Sequence, residues 1–67
     1  MNGTIKKVTR DRAYGFIRAE DGLDYFFHAS ELHGGIVFED IQEGEAVTFE
    51  ASPSPKGPRA VDIRRPA

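Results

Sequence analysis

Between Ala13 and Ser30 the chain alternates twice. Tyr14, Phe16 and Arg18 fall on one face of a first segment, with Gly15 and Ile17 on the other, because successive side chains of a strand point to opposite sides. Phe26, His28 and Ser30 share one face of a second segment, opposite Tyr25 and Phe27. Between them Glu20-Asp21-Gly22 supplies a turn whose Asp-Gly pair tolerates positive φ. The pattern predicts a hairpin, with strands over about Tyr14 to Ala19 and Asp24 to His28. Both faces carry rings, and a chain of 67 residues can bury only one of them. Aromatics at strand spacing ordinarily belong to a core, but burying both sets would need cover on each side, and no amphipathic helix is present to provide it. The face that mixes rings with Arg and His is therefore expected in solvent. Exposed rings beside cations are what stack on unpaired bases.

The rest of the chain reads as further short strands. Gly3 to Arg10 holds the β-branched run Thr4-Ile5-Lys6-Lys7-Val8-Thr9, with Ile5 as the expected core side chain, and Asp11-Arg12-Ala13 connects it to the hairpin. Ala29-Ser30-Glu31-Leu32 suits a single helical turn with Ser30 as cap and Leu32 inward. His33 to Asp40 is a long loop in which Gly34-Gly35 gives mobility and Phe38 a sticky ring. After the Glu43-Gly44-Glu45 turn, Ala46 to Ala51 alternates most regularly, with Val47, Phe49 and Ala51 in and Thr48 and Glu50 out. Ser52 to Pro58 carries three prolines and must be a loop. Arg59 to Arg64 makes a fifth strand with Val61 and Ile63 inward, and Arg65-Pro66-Ala67 is expected to fray. Five short strands without a helix predict an all-β fold, a small barrel that leaves few open edges, formed by residues 1–67 as one domain.

Composition narrows the function. There is no cysteine, which excludes disulfides and thiolate metal sites. No apolar run approaches the roughly 20 residues of a membrane span and no signal-like segment follows Met1, so a soluble cytoplasmic protein is expected. The net charge of −2 argues by itself against a nucleic-acid partner, but its distribution does not. Residues 1–18 hold Lys6, Lys7, Arg10, Arg12 and Arg18 against Asp11 alone; 19–50 hold nine acids and no Lys or Arg; the remainder holds Lys56, Arg59, Arg64 and Arg65 against Asp62. In a closed barrel the two basic blocks can meet in one patch, although segregated charge is also simply a solvated surface. Catalysis would need a positioned nucleophile or an acid/base pair, and neither is present, so no enzymatic activity, cofactor or small-molecule substrate is expected. His28 and His33 with Asp24 nearby do not make a persuasive metal site, and the carboxylates Glu39, Asp40, Glu43 and Glu45 lack the glycine spacing of a calcium loop.

The two aromatic motifs resemble those of the cold-shock domain, a five-stranded antiparallel OB-fold barrel that binds single-stranded RNA and DNA. The family's Lys-Gly-Phe-Gly-Phe-Ile stands here as Arg12-Ala13-Tyr14-Gly15-Phe16-Ile17, and its Val-Phe-Val-His-Phe as Tyr25-Phe26-Phe27-His28-Ala29. Ser30, Glu43-Gly44, Val47-Thr48-Phe49 and Lys56-Gly57-Pro58 also fall where that family has similar residues, so the resemblance runs nearly the length of the chain. It implies stacking positions at Tyr14, Phe16, Phe26 and His28, a loop ring near Phe38, and a phosphate-facing cation at Arg12. It also implies an RNA-chaperone role, with effects on transcription or translation. Phe27 to Leu32 further resembles a segment of the OB-fold domain repeated in a large small-subunit ribosomal protein, which points to RNA as well.

Two departures change the expectation. The family's Trp-Phe pair in the first strand is Lys7-Val8 here, and the ring after the histidine is Ala29. Base platforms each worth about 1 to 3 kcal/mol are missing, so weaker binding, a shorter footprint or more reliance on charge from Lys6, Lys7 and Arg10 is expected. The expected interface comprises Tyr14, Phe16, Phe26, His28 and Phe38 for bases, with Lys6, Lys7, Arg10, Arg12, Lys56 and Arg59 for phosphates, on a monomer. The competing readings are a small-barrel module that takes extended peptides through an aromatic groove, since the acidic middle of the chain would repel phosphate, and a degenerate cold-shock fold that binds weakly or not at all.

Overall fold

The computed structural model describes residues 1–66. Five strands are present: β1 (Asn2–Thr9), β2 (Tyr14–Ala19), β3 (Asp24–His28), β4 (Ala46–Ser52) and β5 (Arg59–Arg64). They close into a barrel in the order β1-β2-β3-β5-β4, with β4 returning to pair with β1. The all-β barrel expected from the alternation is present, and one seam departs from an antiparallel arrangement. β3 and β5 run parallel and meet at Phe26 and Arg59, while the other four pairings are antiparallel.

The barrel is filled by Ile5, Ile17, Ala19, Tyr25, Phe27, Ile41, Val47, Phe49, Ala60 and Ile63. Tyr25 and Phe27 face in and Phe26 does not, as the period of two requires. The Tyr25 hydroxyl donates to Asp21 at 2.6 Å, and the same carboxylate accepts the Leu23 N–H at 2.9 Å, closing the β2–β3 turn.

Two bulges decide which side chains the outer strands turn inward. In β1, Ile5 pairs with Ile17 but Lys7 with Phe16, so Lys6 is an extra residue in the ladder. Without it Lys7 would follow Ile5 into the barrel; with it Val8 packs against the core and Lys7 turns out. In β5, Asp62 has φ 51° and the ladder to β4 shifts between Thr48 and Glu50. Ala60 and Ile63, three apart, therefore both face in. This corrects the period-two reading: Val61 is only half-buried, Ala60 takes the inward position, and Ala51 lies exposed near the strand end.

Ala29–Glu31 and Phe38–Asp40 form single 3-10 turns. The first is capped by His28, whose ring accepts the Ser30 N–H, rather than by Ser30 itself. The segment after Leu32 is less free than its glycines suggest. Leu32 bridges to Ile63, the His33 N–H donates to the Ile63 carbonyl at 2.8 Å, and Ile36 and Phe38 pack partly against the core. Arg65 is not frayed, since its guanidinium donates to Glu45 at 3.0 Å; Ala67 lies outside the described residues.

Candidate nucleic-acid interface

The β2–β3 ladder sets Tyr14 opposite His28, Phe16 opposite Phe26 and Arg18 opposite Asp24, all on the outer face. Three rings form one cluster. Tyr14 and Phe26 have centroids 5.4 Å apart, Phe16 and Phe26 5.8 Å, and Tyr14 and Phe16 6.3 Å. Each is half-buried by its neighbours and keeps the rest of its surface in solvent. His28 is exposed, and its Nδ1 accepts the Ser30 N–H at 3.1 Å, which leaves Nε2 to carry the proton of the neutral ring. The face predicted for solvent is thus the outer one.

Register extends this cluster across four strands. Lys7 of β1 pairs with Phe16, Phe16 with Phe26, and Phe26 with Arg59 of β5, giving a transverse row of cation, ring, ring, cation. The Arg59 guanidinium lies over the Phe26 ring at 5.7 Å from its centroid. Two clefts flank the row and share Phe16. One, of about 490 Å³, runs between Phe16, Phe26 and the β4–β5 loop and is lined by Ser54, Lys56, Gly57, Pro58 and Arg59. The other, of about 200 Å³, is bounded by Lys6, Lys7, Phe16 and Asp24.

The two basic blocks therefore frame the rings from either side; they do not merge, because β1 and β5 are not neighbours in the barrel. Their members also differ in what they touch. Lys6 donates to Asp24 at 2.7 Å and Arg18 donates to the same carboxylate, so donation first from Arg18 and then from Lys6 holds the Asp24 carboxyl down at about 2. Arg10 donates to the carbonyls of Phe38, Glu39 and Ile41. Arg64 pairs with Asp62 at 3.0 Å. Lys7, Arg12, Lys56 and Arg59 are exposed.

Phe38 stands apart from the three-ring cluster. Its ring is half-buried against the core and its backbone is tied to Arg10, so the segment that carries it is anchored, not loose. Sequence reasoning missed Asp24 and Pro58. The signal for Asp24 was available in the hairpin register, which sets it opposite Arg18. Pro58 carries no such signal; its place is fixed by the Phe26 N–H donating to its carbonyl at 3.4 Å. Among the described residues no group of three His, Cys, Asp or Glu side chains could hold a metal ion, and no helix is long and apolar enough to cross a membrane.

Comparison with known proteins agrees with this architecture over nearly the whole chain. Residues 1–66 match the family described as the 'Cold-shock' DNA-binding domain. Cold shock protein 1 of Lactiplantibacillus plantarum is 42% identical over 62 residues, covering 92% of each chain. The probable cold shock protein A of Mycolicibacterium smegmatis is 41% identical over 63 residues with the same coverage, and the major cold shock protein of Streptococcus pyogenes serotype M18 is 35% identical over 63, covering 94% of this chain and 92% of its own. With the closed barrel, the outward rings and a match of this extent together, the chain belongs to the cold-shock domain family and is a nucleic-acid-binding protein of cold-shock type.

Proposed function

We propose that the outer face of β1, β2, β3 and β5 binds single-stranded RNA or DNA, with unpaired bases stacked on Tyr14, Phe16, Phe26 and His28 and the backbone held by cations on both sides. The transverse row from Lys7 through Phe16 and Phe26 to Arg59 carries this reading, because its two central rings and two flanking cations match what a flexible strand offers, flat bases and phosphates. Lys7, Arg12, Lys56 and Arg59 are the cations best free to meet phosphate. Lys6 does so only by leaving Asp24, and Arg10 only by leaving the carbonyls it holds. Lys7 stands beside Phe16 where the family's ring is expected, so charge replaces one stacking platform and binding is correspondingly more sensitive to salt.

Stacking accepts every base, so sequence preference is modest. Binding that favours unpaired strands melts hairpins by mass action, which makes an RNA chaperone acting on transcription or translation the fitting role. The protein works as a monomeric cytoplasmic binding module and not as an enzyme. The test is tyrosine fluorescence during titration with oligo-dT or a short unstructured RNA, with no Trp to obscure Tyr14. Saturable quenching that reverses on adding salt is expected. No response at low ionic strength would overturn the proposal in favour of a peptide-binding or degenerate barrel.

A further inference from the structure

Arg10 lies in the 3-10 turn Arg10–Arg12 that joins β1 to β2, just ahead of Tyr14, and its side chain reaches 28 to 31 residues along the chain. One terminal nitrogen donates to the Phe38 carbonyl at 2.9 Å and to the Glu39 carbonyl at 3.0 Å, while the other donates to the Ile41 carbonyl. These three acceptors span the turn that carries Phe38. Besides the burial of Ile41 and the packing of Phe38 against the core, the turn is closed by two backbone hydrogen bonds, from the Asp40 N–H to the Val37 carbonyl at 3.0 Å and from the Ile41 N–H to the Phe38 carbonyl at 3.3 Å. A planar guanidinium can meet several carbonyls at fixed angles, whereas a Lys ammonium would act as a point charge.

We propose that Arg10 is a positioning residue that acts through Phe38: it fixes the Phe38–Ile41 turn to the connection leading into Tyr14, and so presents the Phe38 ring to the same strand of nucleic acid. This inference rests on the stacking reading of the interface, and it removes Arg10 from the phosphate contacts that charge alone would assign to it. Holding the turn before ligand arrives spares the ordering cost at binding. Arg10 would then alter affinity without altering the number of phosphates neutralised.

The test uses the full chain with Arg10→Ala, Arg10→Lys, Phe38→Ala and the Arg10→Ala/Phe38→Ala pair, titrated with oligo-dT over a range of salt. Phe38→Ala should weaken binding by about 5- to 150-fold, the loss of one stacked base. Arg10→Ala should reproduce part of that loss, leave the slope of log affinity against log salt unchanged, and add less than about twofold in the Phe38→Ala background. Amide exchange at Asp40 and Ile41 should quicken in Arg10→Ala and in Arg10→Lys alike, and both variants should melt cooperatively. A slope shallower by about 0.7 with rescue by Lys would make Arg10 a phosphate contact and overturn the proposal. So would independent, multiplicative losses in the double variant, or an Arg10→Ala protein that binds as the parent does. A silent Phe38→Ala sinks the coupling alone, while silent Phe16→Ala and Phe26→Ala sink the stacking reading beneath it.

Discussion

Phe16 and Phe26 are direct partners across the β2–β3 ladder, with ring centroids 5.8 Å apart and planes at 76°. Both sit on the outside of the barrel while their neighbours Ile17 and Phe27 are fully enclosed. Replacing Phe16 or Phe26 by Ala should therefore leave the fold largely intact and weaken single-strand binding by about 1 to 3 kcal/mol each. Because the rings touch, the two losses should not add. Titration of each variant and of the pair, alongside a denaturant melt, separates the effects. Loss of the cooperative melt in either single variant would show that these rings belong to the core.

Gly15 lies on the inner face one residue from Phe16. A Cβ there would collide with the Lys7 carbonyl oxygen and stand 2.8 Å from the Phe27 ring, so backbone and a fully packed side chain would both have to move. Gly15→Ala should destabilise the barrel by about 1 to 3 kcal/mol or more, visible as a lower denaturant midpoint at unchanged m-value. Its role is close packing beside the β1 bulge.

Ala13, two positions earlier, should respond in the opposite sense. It holds φ 57° and ψ 42°, a left-handed conformation that costs an L-residue about 1 to 2 kcal/mol. Ala13→Gly removes that strain but loosens the unfolded chain by about 0.4 to 1 kcal/mol, so a net gain of up to about 1.5 kcal/mol is expected. A thermal melt shifted downward would show that the strain is relieved elsewhere.

Acid should weaken the domain in a defined window. Asp24, held by Arg18 and Lys6, titrates at about 2 in place of 3.8; Asp21 is lowered by donation from the Tyr25 hydroxyl, and Glu45 by Arg65. A carboxyl whose pKa falls on folding stabilises fully above its unfolded value, and that stabilisation drains as pH drops towards its folded value. Stability should hold down to about pH 5 and then decline, with the Asp24 share lost between about 4 and 2. Asp24→Asn should flatten the lowest part of that curve in pH-dependent urea melts. Asp21 and Asp24 are exposed and Glu45 is half-buried, so high salt should shrink the effect.

Salt should govern binding more than it governs folding. If three or four exposed cations neutralise phosphate, the slope of log affinity against log salt should be about −2 to −3 on a single strand. A flat dependence would leave the rings alone to carry affinity and would count against the place of Lys7 beside Phe16.

Much of the site was legible because a hairpin's faces follow from a period of two, and the run from Tyr14 to His28 keeps that period unbroken. The reading slipped where the backbone adds a residue. Nothing in Thr4-Ile5-Lys6-Lys7 announces the bulge at Lys6, and Asp62 breaks the rhythm of β5, so Ala60 took the inward place assigned to Val61. Ile41 was missed as a core residue because it lies outside any strand. Arg10 and Lys6 looked like free cations because their partners, the carbonyls of Phe38–Ile41 and the carboxylate of Asp24, are distant in sequence. Local pattern cannot see such pairings.

The barrel's slimmest weld lies directly under its groove. Within β3 and β5 the parallel seam has a single register pair, Phe26 with Arg59, backed by a 3.4 Å bond from the Phe26 amide to Pro58. A nucleotide chain resting on both residues would rivet that seam from outside, so the empty domain should breathe there first and the loaded one should be the stiffer object.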